Sequence, residues 1–187
     1  MKVVLIAGAL ALLAVAFWSG RTDREARAKL KTLEDILRSK NDNDPRLDSD
    51  FASLSPAAKR LLRQRYGESA PERRNERGTI VYLLGRSASS REDWEFLRAV
   101  ASEPPCLSLA DCSKKAPQAE GALGQEVTLA YPSLVALKQA ERALPAEGAR
   151  LVIEAAKRSK TPIVRRTAAR VGAAAAGSVE RAPAGPR

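Results

Sequence analysis

Apolar residues recur three and four positions apart in successive segments of this chain, the spacing that places side chains on one face of an α-helix. The clearest apolar stripe consists of Ala149, Val152, Ile153 and Ala156. No segment keeps the apolar–polar alternation of a half-buried strand. Aromatic residues make up only 4% of the chain, so each helix contact buries little area and several helices must pack together. The sequence therefore predicts an all-α fold.

Helix-starting residues divide the part of the chain that follows residue 50. Four Xaa-Pro pairs suit a first helical turn, because the missing proline N–H would be unpaired there: Ser55-Pro56, Ala70-Pro71, Leu144-Pro145 and Thr161-Pro162. Ser90 and Asp93 have the spacing of a capping box. Residues 123–137 keep helical spacing through Pro132, which predicts either one kinked helix or two short helices meeting at Tyr131. If Pro132 only kinks a helix, we expect six helices here.

An apolar segment occupies residues 3–18, near the start of the chain. As a secretory signal it ends in Ala14-Val15-Ala16, a small-x-small pattern that suits cleavage. As an uncleaved membrane anchor it is short for a bilayer span, and the basic residues after it favour a cytoplasmic C-terminal side. We favour export to the bacterial periplasm or cell envelope, either as a soluble protein or anchored through residues 3–18.

These features divide the chain into five predicted parts. They are a signal peptide or membrane anchor (1–20), a juxtamembrane helix (21–38), a polar linker (39–50), a helical-repeat domain (51–176) and a disordered tail (177–187). The juxtamembrane helix is predicted from the stripe of Ala26, Leu30, Leu33 and Leu37. The tail is predicted to be disordered because it is rich in Pro and Gly.

The residues that usually carry out catalysis and bind metal are scarce. The chain has no His, which removes the usual general base and the Ser–His and Cys–His nucleophile pairs. Cys106 and Cys112 are the two cysteines, and without His they leave a zinc shell half filled. In an oxidising compartment they are expected to form a disulfide that stabilises the loop by about 2–3 kcal/mol. We therefore predict no enzyme activity, no cofactor and no metal.

One stretch, from Thr161 to Gly172, resembles the second helix of a HEAT-like repeat, of the short kind found in phycobilisome-lyase-type repeat proteins. The resemblance is carried by Val164-Arg165, Ala168-Ala169 and Gly172. A weaker copy runs from Glu76-Arg77 to Leu83-Leu84-Gly85, about two repeats of ~40 residues earlier. The resemblance implies a short right-handed stack of helical pairs at residues 54–87, 90–143 and 145–176. It also implies that the arginine of Val-Arg is structural.

Basic residues outnumber acidic ones, 32 to 22, for a formal charge of +10. Several lie near the last helix: Lys157, Arg158, Lys160, Arg165, Arg166 and Arg170. Since the resemblance places second helices on a concave surface, Arg158, Arg166 and Arg170 are our candidates for binding an acidic protein partner. The alternative is a cytoplasm-facing, basic nucleic-acid-binding protein. The chain shows neither a DNA-reading motif nor aromatics interleaved for base stacking.

Overall fold

The computed structural model describes residues 22–115 and 125–180. Within those ranges the chain forms nine helices and no strand, so the predicted all-α class is confirmed for them. The helices are α1 (22–39), α2 (Arg46–Ser49), α3 (Pro56–Glu68), α4 (Arg74–Arg86), α5 (Arg91–Ala101), α6 (Gln125–Leu129), α7 (Tyr131–Arg142), α8 (Glu147–Lys157) and α9 (Pro162–Glu180). The apolar segment at residues 3–18 and the tail beyond residue 180 lie outside the described ranges.

Side-chain caps fix the starts of α3 and α5 where the sequence predicts them. Ser55 Oγ accepts the N–H of Ala58 at 3.2 Å. At α5, Ser90 Oγ accepts the N–H of Asp93 at 3.3 Å, and Asp93 Oδ2 accepts the N–H of Ser90 at 3.1 Å. This is the predicted capping box, with Asp in the place of the more frequent Glu.

The segment around Pro132 forms two helices, the second of the two predicted alternatives. α6 ends at Leu129, and α7 begins at Tyr131 with Pro132 in its first turn, where a missing N–H breaks no intrahelical bond. The described part of residues 51–176 therefore holds seven helices rather than six. The last of them, α9, continues to Glu180, so the predicted boundary at residue 176 falls inside it.

The chain separates into two compact units, one ending at Arg65 and the other beginning at Tyr66. In the first unit, α1 buries three residues of one face: Ala26, Leu33 and Ile36. Residues 39–50, predicted as a polar linker, contain the short helix α2, which buries Leu47, and Phe51 directly after it is fully buried. This stretch therefore contributes apolar side chains to the first core.

In the second unit, α4 packs on α7, α7 packs on α9, and α5 packs on α8. α7 and α8 also contact each other, and α8 contacts α9. Two glycines of α4, Gly78 and Gly85, face α7. A Cβ on Gly85 would lie 2.4 Å from Cγ of Gln139, so the missing side chain lets the two helices approach closely. Among the described residues, no helix combines the length and the apolarity that a bilayer span requires.

Candidate functional site

A groove of about 490 Å³ lies between the C-terminal ends of α5 and α8, within the second unit. Its lining includes Arg98, Ser102, Pro104, Arg158, Ser159 and Lys160. Arg98 belongs to the last turn of α5, and Arg158 is the C-cap of α8. Basic side chains are favourable at both places because helix C-termini carry partial negative charge. We call Arg98, Arg158, Lys160 and the space between them the cationic groove.

An apolar surface adjoins the cationic groove at Arg98. Here a second cavity of about 430 Å³ is lined by Trp94 and Leu151 together with the charged residues Arg91, Glu95, Arg98 and Glu147. The indole ring lies against Gly148 of α8, where a Cβ would come within 2.2 Å of Trp94 Cγ. Leu151 is 55% exposed, a large fraction for a leucine. The face formed by α5 and α8 therefore presents two large apolar side chains, bordered by Glu95 and Glu147, beside a cluster of cations.

The three cations of the groove have no ion-pair partner among the residues that the structure describes. All three side chains belong to exposed residues. Some basic residues elsewhere in this unit pair with carboxylates on their own helix, as Arg91 does with Glu95 at 2.7 Å, whereas others such as Arg142 and Arg150 have no ion-pair partner among the described residues. Three exposed cations therefore lie around one cavity with no carboxylate in its lining. Arg can hold an anionic group through two hydrogen bonds.

Of the three predicted contact residues, only Arg158 lines the cationic groove. Arg166 does not line the groove, and its Nη2 lies 2.9 Å from Glu126 Oε2 in an exposed ion pair. Arg170 is exposed on α9, outside the groove. Arg165 donates to the carbonyl of Ser159 at 3.0 Å. Sequence reasoning missed Arg98 because only tertiary packing brings α5 beside α8.

A second polar cluster lies inside the same unit. Arg77 stacks on the ring of Tyr66, 4.0 Å from its centroid, and donates to Glu103 Oε1 at 2.5 Å and to the carbonyl of Ser69 at 3.2 Å. The Tyr66 hydroxyl donates to the same Glu103 oxygen at 2.8 Å. Arg77 and Tyr66 are both buried. These bonds tie the end of α3 and the start of α4 to Glu103, two residues beyond the end of α5, which is a structural role.

We expect Tyr66 to make stability fall at alkaline pH. Burial and the nearby Glu103 carboxylate raise the pKa of the Tyr66 hydroxyl above its usual value. The unfolded chain releases this proton near pH 10 while the folded chain retains it, so the stabilisation is complete below about pH 10 and is lost above it. Urea unfolding at about pH 9 and about pH 11 measures this loss. Tyr66→Phe should reduce it and Tyr82→Phe should not; equal losses in both variants would contradict the assignment.

The cysteine pair lies in the segment that follows α5, within residues 102–115. Cys106 and Cys112 are at disulfide distance, with Cα atoms 4.2 Å apart. The Cys112 N–H donates to Glu72 Oε1 at 2.8 Å, and Arg74 Nη2 lies 2.6 Å from Cys112 Sγ. This segment is thereby attached to the start of α4.

No group of three or more metal-binding side chains lies together in residues 22–115 and 125–180. Comparisons of the chain with protein-family models, with curated proteins and with solved structures find no match. The geometry of this chain alone therefore carries the functional argument. That geometry places Arg98, Arg158 and Lys160 around one cavity, with Trp94 and Leu151 beside it.

Proposed function

We propose that this protein is a non-enzymatic helical-repeat module, exported or tethered to the membrane, that binds an acidic segment of a partner protein. The observation that carries the proposal is the convergence of Arg98, Arg158 and Lys160 on one cavity with no carboxylate among them. Carboxylates of the partner would supply the missing counter-charges. An apolar side chain of the same segment would cover Trp94 and Leu151.

The distribution of charge favours an acidic polypeptide over nucleic acid. A nucleic-acid site is expected to be a continuous basic stripe that follows the phosphate backbone. Several basic side chains outside the cationic groove are neutralised by carboxylates, as Lys138 is by Glu141 at 2.7 Å and Arg166 by Glu126. A compact cationic site beside a half-buried indole suits a short acidic segment with an apolar anchor.

The order of helix packing supports a repeat architecture for the second unit. α4, α7 and α9 pack in series, and α5 packs on α8, as expected if α4, α7 and α9 form one layer and α5 and α8 another. The arginines of the two repeat-like segments also make similar bonds. Arg165 donates to the carbonyl of Ser159, and Arg77 donates to the carbonyl of Ser69, each toward the turn before its own helix.

Export is the part of the proposal that rests on the apolar segment at residues 3–18 and on the cysteine pair. A pair at disulfide distance suits an oxidising compartment. Sequencing the mature N-terminus of protein from fractionated cells tests this part, and cleavage after Ala16 is the expected result.

Charge removal in the cationic groove is expected to weaken binding of an acidic probe by about tenfold or more, which corresponds to ~1.4 kcal/mol. The probe is a short fluorescent peptide rich in glutamate and containing leucine, and anisotropy with the full chain is the measurement. The variant combines Arg98→Gln, Arg158→Gln and Lys160→Gln. The matched control variant combines Arg142→Gln, Arg150→Gln and Arg170→Gln. It removes the same charge at exposed residues that have no ion-pair partner among the described residues.

Equal weakening by the two triple variants would show that net charge, not the groove, drives binding, and would refute the proposed site. A peptide with glutamine in place of glutamate should bind poorly. Tighter binding of a single-stranded DNA probe than of the peptide, with a steep loss in salt, would favour the nucleic-acid alternative.

A further inference from the structure

The loop that carries the two cysteines keeps its shape through hydrogen bonds as well as through its sulfurs. The Leu107 N–H donates to the carbonyl of Cys112 at 3.1 Å. The Ser108 hydroxyl donates to the carbonyl of Asp111 at 2.8 Å and accepts the N–H of Asp111 at 3.1 Å. Because these bonds do not depend on the disulfide, the two sulfurs are expected to stay close together after reduction.

The two sulfurs have different surroundings. Cys106 is only 6% exposed, whereas Cys112 is partly exposed. Cys112 Sγ lies 2.6 Å from Arg74 Nη2. Cys112 is therefore both the more accessible of the two cysteines and the one beside a cation.

Arg74 is buried without a carboxylate partner. Only 8% of the residue is exposed, and no described residue accepts a hydrogen bond from its Nε. Burial is the largest cause that lowers the pKa of Arg74 and Arg77 adds to it, while Glu103, Tyr66 and Glu72 act in the opposite direction. In the disulfide state the contact of Arg74 Nη2 is a neutral sulfur. In the reduced state that sulfur can become a thiolate and supply the counter-charge.

Other charged groups around Arg74 and Cys112 either oppose or favour a thiolate. Each of them already has a partner: Glu72, Glu103, Asp111, Arg77 and Lys114. The carboxylates of Glu72 and Asp111 oppose a thiolate. Hydrogen bonds from backbone N–H groups lower the pKa of Glu72, and bonds from Ser113 and Lys114 lower that of Asp111, so both carboxylates stay ionised and oppose a thiolate. Arg74, in direct contact and buried, is expected to dominate.

We propose that Cys106 and Cys112 are a thiol–disulfide exchange site for dithiol reductants, in which Cys112 forms the thiolate and Arg74 stabilises it. A thiolate of the dithiol attacks Cys112 Sγ, and Cys106 leaves and takes up a proton. The second thiolate of the reductant then attacks the reductant sulfur that is bonded to Cys112, and Cys112 leaves as a thiolate. In sum, the dithiol becomes a disulfide, Cys106 becomes a thiol, Cys112 becomes a thiolate, and one proton is released.

The test measures thiol pKa values in the reduced full chain, from the pH dependence of alkylation and of the ultraviolet absorbance of the thiolate. Cys106→Ser reports Cys112 alone, and Cys112→Ser reports Cys106 alone. The pKa of Cys112 should lie below the usual value of about 8.5 and below that of Cys106. Arg74→Gln, placed in the Cys106→Ser background, should raise it, Arg74→Lys should leave it low, and Arg73→Gln, next to it in sequence, should not change it.

A second measurement uses the full chain with both cysteines, equilibrated with dithiothreitol. Arg74→Gln should make the disulfide about tenfold harder to reduce, a shift of ~30 mV. Circular dichroism establishes that each variant is folded, and Arg74→Lys tests the charge if Arg74→Gln unfolds. A Cys112 pKa at its usual value in the protein that carries Arg74, or the same equilibrium constant in Arg74→Gln and Arg73→Gln, would overturn the proposal.

Discussion

Replacing Glu103 with alanine is expected to lower the free energy of unfolding by about 2–3 kcal/mol, the largest loss we expect from a single change outside the apolar core. The carboxylate accepts hydrogen bonds from both Arg77 and Tyr66. Without it, a buried guanidinium has no counter-ion and a buried hydroxyl has no acceptor. Breaking a fully buried pair costs about 3–5 kcal/mol, and we expect less here because the Glu103 side chain is 25% exposed.

Urea unfolding followed by circular dichroism measures this loss. The matched control is Glu95→Ala, which removes the Arg91–Glu95 pair at 2.7 Å, whose side chains are 87% and 49% exposed. The control should cost less than about 0.5 kcal/mol. Combining Arg77→Met with Glu103→Ala should cost less than the sum of the two single changes, because the double variant leaves no buried charge unpaired. Equal losses for Glu103→Ala and Glu95→Ala would show that burial does not strengthen the pair.

Placing a methyl group on Gly85 is expected to destabilise the second unit by about 2 kcal/mol. A Cβ there would lie 2.4 Å from Cγ and 2.6 Å from Cβ of Gln139, and neither atom can move far because it lies near the α7 backbone. Overpacking of this kind costs about 1–3 kcal/mol, and the clash here is at the severe end. The better helix propensity of alanine returns at most about 1 kcal/mol.

Gly67 provides the control, since it lies in a helix and a Cβ there would meet nothing within 4 Å. Gly67→Ala is expected to raise stability by a few tenths of a kcal/mol, up to about 1. The two glycine-to-alanine changes should therefore shift the urea midpoint in opposite directions. Stabilisation by Gly85→Ala would mean that α4 and α7 do not depend on close contact at this glycine.

The predicted helix starts agree with the structure where a side chain caps the helix, at α3 and α5, whereas α4 and α8 begin two or three residues after the Ala70-Pro71 and Leu144-Pro145 pairs. Ser90 with Asp93 fixes the start of α5, because a capping box acts over a single turn. The stripe on α8 is buried at every predicted position: Ala149, Val152, Ile153 and Ala156. The sequence did not decide between one kinked helix and two short helices around Pro132, because proline is compatible both with a kink and with a first helical turn.

The candidate site was only partly predictable. The sequence pointed to Arg158 because other basic residues lie near it along the chain, but it gave the same weight to Arg166, which does not line the groove and pairs with Glu126 of α6. Nothing local marks Arg98 as a neighbour of Arg158, since the two residues lie on different helices. Similarly, nothing local pairs Arg77 with Glu103 or Arg74 with Cys112.

The sequence by itself determined where most helices form and which faces they bury, because caps, prolines and apolar spacing act within one or two turns. Only the tertiary structure decided which charges stay free, which are paired and which sulfur lies beside a cation. These outcomes depend on packing between helices that are distant along the chain. Packing depends on the shape of the helix surfaces as much as on composition. The missing side chain at Gly85 lets α4 approach α7 closely, and the missing side chain at Gly148 makes room on α8 for the indole of Trp94.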